Sequence, residues 1–225
     1  MPIRAVLLDV DGTLVDSNDA HAQAWSEALR ETGRQVPYEE IRWRIGMGGD
    51  KVTPEITGLE PESPEGKKLR ARVGEIFRQK YVKGLKPFPG TRELLERFRA
   101  EGLTLVVATS ASAQDMKEIL KTGGLGDLID ERTSSSDAEH SKPDPDIIEA
   151  AVERSGASAA ECVMLGDTPY DVTAARRAGV TVVGLRCGGW NDEELAGTAA
   201  VYDGPADLLA RYDSSPFAAH AGTRR

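Results

Sequence analysis

Along the chain, short aliphatic runs alternate with longer stretches in which apolar residues recur every third or fourth position. The runs IRAVLLD (3–9), LTLVVAT (103–109), CVMLGD (162–167) and VTVVGL (180–185) are strand-length and rich in β-branched and aliphatic residues. Between them, TRELLERFRAEG (91–102), AQDMKEILKTGG (113–124), PDIIEAAVERSG (145–156) and PYDVTAARRAG (169–179) carry helical spacing. Each closes on glycine, the residue expected just past a helix. Strands that are apolar on both faces, alternating with helices, predict a parallel sheet covered on both sides. The expected fold class is α/β, a doubly wound parallel sheet.

Residues 16–86 break that rhythm. AHAQAWSEALRETG, YEEIRWRIG, GGDKVTPEITG and PEGKKLRARVGEIFRQKYVKG all read as helices, with no strong strand candidate among them. A connection this long is not a simple loop, so it is predicted to be an inserted helical cap. The core is then residues 1–15, with the first strand and its loop, together with residues 87–225, resumed at KPFPG. The tail from about residue 214, SSPFAAHAGTRR, is small and polar and is expected to be disordered.

The 225 residues hold 28 Lys and Arg against 37 Asp and Glu, a formal net charge of −9. With no long basic run, this argues against a nucleic-acid partner. It leaves room for a local cationic pocket that takes a small phosphorylated metabolite. The apolar runs are far too short to span a bilayer, and MPIRAV passes into the first strand without secretory features. The expectation is a cytoplasmic protein with no membrane partner. No heptad or interface stripe indicates an oligomeric state. Cys162 and Cys187 are too few for a disulfide framework or a four-cysteine zinc site. Histidines 21, 140 and 220 show no metal-ligand spacing, which leaves acid–base chemistry to carboxylates.

In doubly wound sheets, ligands bind outside the carboxyl ends of the strands. The first strand is followed by Asp9 and Asp11, the second by Thr109 and Ser110. Lys142 lies in SSSDAEHSKPDP before a helix, and GDTPYD places Asp167 and Asp171 after the next strand. Taken singly, each reads as a cap, a turn or a solvated charge; together they form a set. Mg²⁺ takes a few carboxylates and leaves positions for water or substrate phosphate. Asp9 and Asp167 fit as direct ligands, with the backbone carbonyl of Asp11 as a third oxygen. Asp171 is placed to reach the metal through water or to orient Lys142. Lys142 and backbone N–H groups near Gly12 would neutralise a phosphoryl group, and Thr109 or Ser110 would donate to it, with Thr109 favoured.

DVDGTLVDS, VVATS, SKPDP and GDTPYD, in this order, resemble the four motifs of the haloacid dehalogenase-like superfamily of hydrolases, and the insertion resembles its α-helical cap. The resemblance extends to its phosphoglycolate phosphatase and β-phosphoglucomutase branch. It implies a Rossmann-like core and Mg²⁺ held by Asp9, Asp11 and Asp167. It further implies that Asp9 is a nucleophile forming an aspartyl-phosphate, that Asp11 is the acid and then the base, and that Lys142 balances charge. The dehalogenase branch generally lacks an acid at the position of Asp11, so phosphate chemistry is expected. Carboxylate nucleophiles split a difficult displacement into two steps, and residues two apart on extended chain point the same way.

In the cap, WRIGMGGDKV sets Arg44 and Lys51 around a glycine-rich turn that could close on substrate. Trp25 and Trp43 read as cap core, and EGKKLRAR as a solvated helix face. The leading reading is a Mg²⁺-dependent phosphatase of small phosphate monoesters, either a sugar phosphate or a phosphoglycolate-like compound. The alternatives are a phosphomutase, a phosphonoacetaldehyde hydrolase-like enzyme with Lys51 as Schiff base, and a phosphate-binding module without turnover.

Overall fold

The computed structural model describes residues 2–220. Its six strands are β1 (Ala5–Leu8), β2 (Thr104–Ala108), β3 (Glu131–Thr133), β4 (Cys162–Gly166), β5 (Thr181–Leu185) and β6 (Ala200–Tyr202). They form one parallel sheet in the order β3-β2-β1-β4-β5-β6. The four strands legible as apolar runs are the four central ones. The edges, β3 and β6, are three residues each and partly exposed, too short and polar to stand out in the pattern.

Alternate residues along each strand feed two separate cores. Val6, Leu8, Leu105, Val107, Val163 and Leu165 point to one face. There they meet α5 (Thr91–Ala100), α6 (Ala113–Thr122) and α9 (Pro205–Ala210). Ala5, Leu7, Val106, Ala108, Cys162 and Met164 point to the other, covered by α7 (Asp146–Ser155) and α8 (Pro169–Arg177). Burial on both sides explains strands that are apolar without alternation.

Between β1 and α5 the chain forms four α-helices, α1 (Asn18–Glu31), α2 (Tyr38–Arg42), α3 (Gly49–Thr57) and α4 (Pro64–Ile76). The last continues through a wider turn at Phe77–Tyr81. The chain leaves and returns side by side: the Asp16 N–H donates to the Lys86 carbonyl at 3.0 Å, and that of Phe88 to Leu14 at 3.0 Å. This helical cap continues the first core through Trp25, Leu29, Ile41, Leu69, Val73 and Phe77. Trp43 is not part of it. It is 40% exposed and packs edge-on against Trp190 at 4.7 Å, because α2 ends at Arg42 and turns it outward.

The expected disorder from residue 214 is corrected through Ala218. Ser215 and Phe217 are buried, with the Phe217 ring 4.7 Å from that of Phe98. The aromatic residue in an otherwise small and polar tail is what docks it. Residues 221–225 lie outside the described range.

Among the described residues, no helix is long and apolar enough to cross a membrane.

Candidate active site

The strand order reverses at β1 and β4, and in such sheets that crevice is where ligands bind. Leu8 pairs with Leu165 on one side and with Val107 on the other. The next residue, Asp9, is locked by its N–H to the Leu165 carbonyl at 3.0 Å. Lys142 comes in from the segment before α7. Its Nζ lies 2.7 Å from Asp9 Oδ1 and 2.7 Å from Asp171 Oδ1, and the side chain is fully buried. Asp171 is fixed in turn: its Oδ2 accepts from the Thr168 N–H at 3.0 Å and hydroxyl at 2.7 Å, while Thr168 caps α8.

Burial works against the Lys142 charge, but the carboxylates of Asp171 and Asp9 outweigh it and hold the ammonium well above its ordinary range. Burial drives the carboxyl of Asp9 up; Lys142 opposes this and Asp171 and Asp11 add to it, leaving Asp9 pushed up to about 7. Asp167 is likewise raised, first by burial and then by Asp9 and Asp171, even though Thr13 and Asn18 hydrogen-bond its two oxygens at 2.8 and 3.0 Å.

This strain is the test of whether the site suits a cation. Oxygens of Asp9, Asp167 and Asp171 lie within 4.8 Å of one another, and all three residues are buried. Three carboxylates face one ammonium, so ionising them all leaves an excess that a dication would neutralise. Oxygen donors are also the kind that Mg²⁺ prefers. Because both oxygens of Asp171 are already engaged, its part is first to hold Lys142.

The carboxylate of Asp11 is not among those clustered oxygens. Its Oδ1 accepts from Ser17 Oγ at 2.5 Å and lies 2.9 Å from His21 Nε2. Burial would raise its carboxyl, but His21 and Ser17 outweigh burial and bring it below the ordinary range. Burial would lower His21, and Asp11 raises it instead. The imidazole stacks on Phe77 with ring centroids 3.8 Å apart. His21 was absent from the candidate residues because nothing in its spacing pointed to Asp11. Only the fold of VDSNDAH, which returns α1 over the strand end, brings them together.

Gly12 serves otherwise than expected. Its N–H is spent on the Val15 carbonyl at 2.9 Å. What the position requires is the absence of a side chain: with φ at +80°, a Cβ would fall 2.2 Å from Asp167 Oδ2 and 2.1 Å from Asn18 Nδ2.

A cavity of about 430 Å³ opens above these groups, lined by Asp9, Asp11, His21, Thr109, Ser110 and cap residues. The Thr109 hydroxyl accepts from the Ala111 N–H at 3.1 Å. That of Ser110 is buried without a partner.

Arg44 and Lys51 are not in the wall. Arg44 is drawn to Glu55 at 2.9 Å and to the Glu40 carbonyl at 2.6 Å. Lys51 crosses to the core and pairs with Asp144 at 2.6 Å. Ion pairs within reach, absent from any local pattern, take both away. The basic residue that the cap does bring to the wall is Arg70, hidden in the run read as a solvated face.

Comparison with known proteins agrees with this geometry. Residues 6–185 match the family model "Haloacid dehalogenase-like hydrolase". The chain is 32% identical to "Probable phosphatase IndB" of Dickeya dadantii, covering 94% of this chain and 96% of that protein. It is 34% identical to a phosphoglycolate phosphatase of Nitrosospira multiformis over 80% of this chain and 81% of that one. Among solved structures, a hydrolase from Pseudomonas syringae superposes with a TM-score of 0.87 at 33% identity, covering 94% of this chain and 98% of that one. The β-phosphoglucomutase of Clostridium difficile, at 19% identity, shares the fold with a TM-score of 0.81 over 94% and 96% of the two chains.

Proposed function

The chain belongs to the haloacid dehalogenase-like hydrolase family, and on that footing we propose that it is a Mg²⁺-dependent phosphatase of small phosphate monoesters working through an aspartyl-phosphate on Asp9. The observation that carries this is the separation of two carboxylates at one cavity. Asp9 is oriented by Lys142 at 2.7 Å. Asp11 is turned to His21 and Ser17, outside the acid cluster. One is placed to attack and the other to handle a proton.

In this reading Asp9 Oδ attacks phosphorus, and the bond from phosphorus to the ester oxygen breaks. Asp11 delivers a proton to that leaving oxygen, then takes one from the water that attacks the phosphorus of the aspartyl-phosphate, whose bond to Asp9 breaks to free inorganic phosphate and return the carboxylate. The Asp11–His21 contact gives this proton a second place to rest. Lys142 keeps Asp9 aimed and offsets charge on the phosphoryl oxygens. The hydroxyl at the end of β2 comes from Thr109, with Ser110 beside it. Asp9 and Asp167 would hold Mg²⁺, with the Asp11 carbonyl as a further oxygen and Asp171 steadying Lys142. That cation supplies charge neutralisation at the phosphoryl group.

The phosphatase and phosphoglycolate phosphatase names of the relatives support the reaction class. The substrate is then a small phosphorylated metabolite, in keeping with a cytoplasmic enzyme. We assign residues 16–86 as the cap and 1–15 with 87–225 as the core, supported by the paired strands of chain at Asp16 and Lys86. Lys51 lies outside the cavity wall, which removes the support for a Schiff base there.

The test is phosphate release from a panel of esters with Mg²⁺ or with excess chelator, by the wild type and by Asp9→Asn. Release that needs both the metal and Asp9 is expected. Release by Asp9→Asn at the wild-type rate would overturn the reading.

A further inference from the structure

The cap wall of the cavity is not uniform. Trp25, Ile45, Met47, Val73 and Phe77 make one stretch apolar. Beside it stands Arg70, the one lysine or arginine among the described lining residues. Its Nη2 donates to the Pro61 carbonyl at 2.8 Å and to Glu62 at 2.8 Å. Its stem lies across Gly49, where a Cβ would come within 2.8 Å of Cδ. The glycine-rich turn is thus what lets the arginine lie there.

Held so, Arg70 keeps its Nε buried without a partner, and a buried unmatched donor is a cost that an incoming acceptor would relieve. The neighbouring acids do not offer themselves. Asp50 accepts from the Ser141 hydroxyl at 2.5 Å and its N–H at 3.2 Å. Asp115 is paired with Arg78 at 2.6 Å, and Glu62 with Arg70 and Lys67.

The cavity, at about 430 Å³, falls in the range that encloses whole organic ligands, more than a phosphoryl group on a two-carbon tail requires. We propose that Arg70 takes the part of the substrate that is not transferred. The substrate class is then a phosphate monoester whose carbon part exceeds two carbons, lies against the apolar wall, and ends in a hydrogen-bond acceptor. That acceptor is a carboxylate, a carbonyl or a second phosphate. The inference rests on the phosphatase reading above and names its substrate.

The experiment compares phosphate release from phenyl phosphate and from 4-carboxyphenyl phosphate, which differ only in the terminal acceptor. 4-Acetylphenyl phosphate and hydroquinone bisphosphate stand in for the carbonyl and the second phosphate. With Mg²⁺, the wild type is expected to favour at least one acceptor-bearing ester over phenyl phosphate by about ten- to hundredfold in kcat/KM, mostly through KM. This is the range of a hydrogen bond to a charged group. In Arg70→Gln that ratio falls to near one, and Arg70→Lys keeps part of it. A wild-type ratio near one for all three acceptors overturns the proposal whether or not the variants fold. So does a ratio that survives in Arg70→Gln. Absence of phosphate release from every ester would instead count against the phosphatase reading itself.

Discussion

The floor of the cavity, at the ends of β1 and β4, and its roof, built by α1, α3 and α4, face the same space but are held by different forces. On the floor, Asp9, Lys142, Asp167 and Asp171 are almost fully buried, so each charge is tied to another and removal of any one leaves its partner stranded. In the roof, charges sit nearer to water. Lys51 and its partner from the core, Asp144, are each about 30% exposed, and Arg44 and Glu55 more unequally so. Exposed pairs contribute little and can be rearranged at small cost. The difference teaches which charges one scaffold can change: those of the floor are fixed because they are dry, and those of the cap are free to vary because they are wet.

The strongest way to break that contrast is at the nucleophile. Asp9→Asn is expected to lower the rate of phosphate release by about 10⁴-fold or more, the scale of losing a covalent catalyst. Next comes Lys142→Met, which leaves Asp9 and Asp171 without their cation. Urea unfolding in the presence of chelator should show a loss of about 3–5 kcal/mol. Saturating Mg²⁺, at about a hundred times its dissociation constant, should stabilise the wild type by about 2.7 kcal/mol in a thermal melt. That gain should vanish in Asp167→Asn. The roof should answer more quietly. Lys51→Met is expected to cost about 1 kcal/mol or less by urea unfolding, and that difference should shrink in high salt. A loss from Lys51→Met as large as that from Lys142→Met would erase the distinction between floor and roof.

The same distinction governs what could be read in the sequence. The central strands announce themselves because both faces are buried, and the residues just after them are fixed by the backbone to one side of the sheet. The strand pattern alone therefore singles out Asp9, Thr109 and Asp167 as residues at strand ends. Lys142 was found by its motif, since its reach to Asp9 across 133 positions leaves no local trace. The roof resisted. Helical periodicity gave α1 to α4 as elements, but not which face meets the cavity once they pack. Thus Arg44 and Lys51 were drawn away by Glu55 and Asp144, while Arg70 turned inward over Gly49. Trp25 and Trp43, alike in composition, part company for the same reason. Phe217 shows the limit at the tail, where one aromatic ring outweighs a run of small residues.

The covalent role of Asp9 is tested most directly by rapid acid quench. Wild-type enzyme with Mg²⁺ is mixed with phenyl phosphate labelled at phosphorus, stopped within one turnover, digested and mapped. Label on the peptide that contains Asp9, released by hydroxylamine as an acyl phosphate should be, is the expected result. Phosphate released with no label on the protein, or label on a different residue, would contradict it.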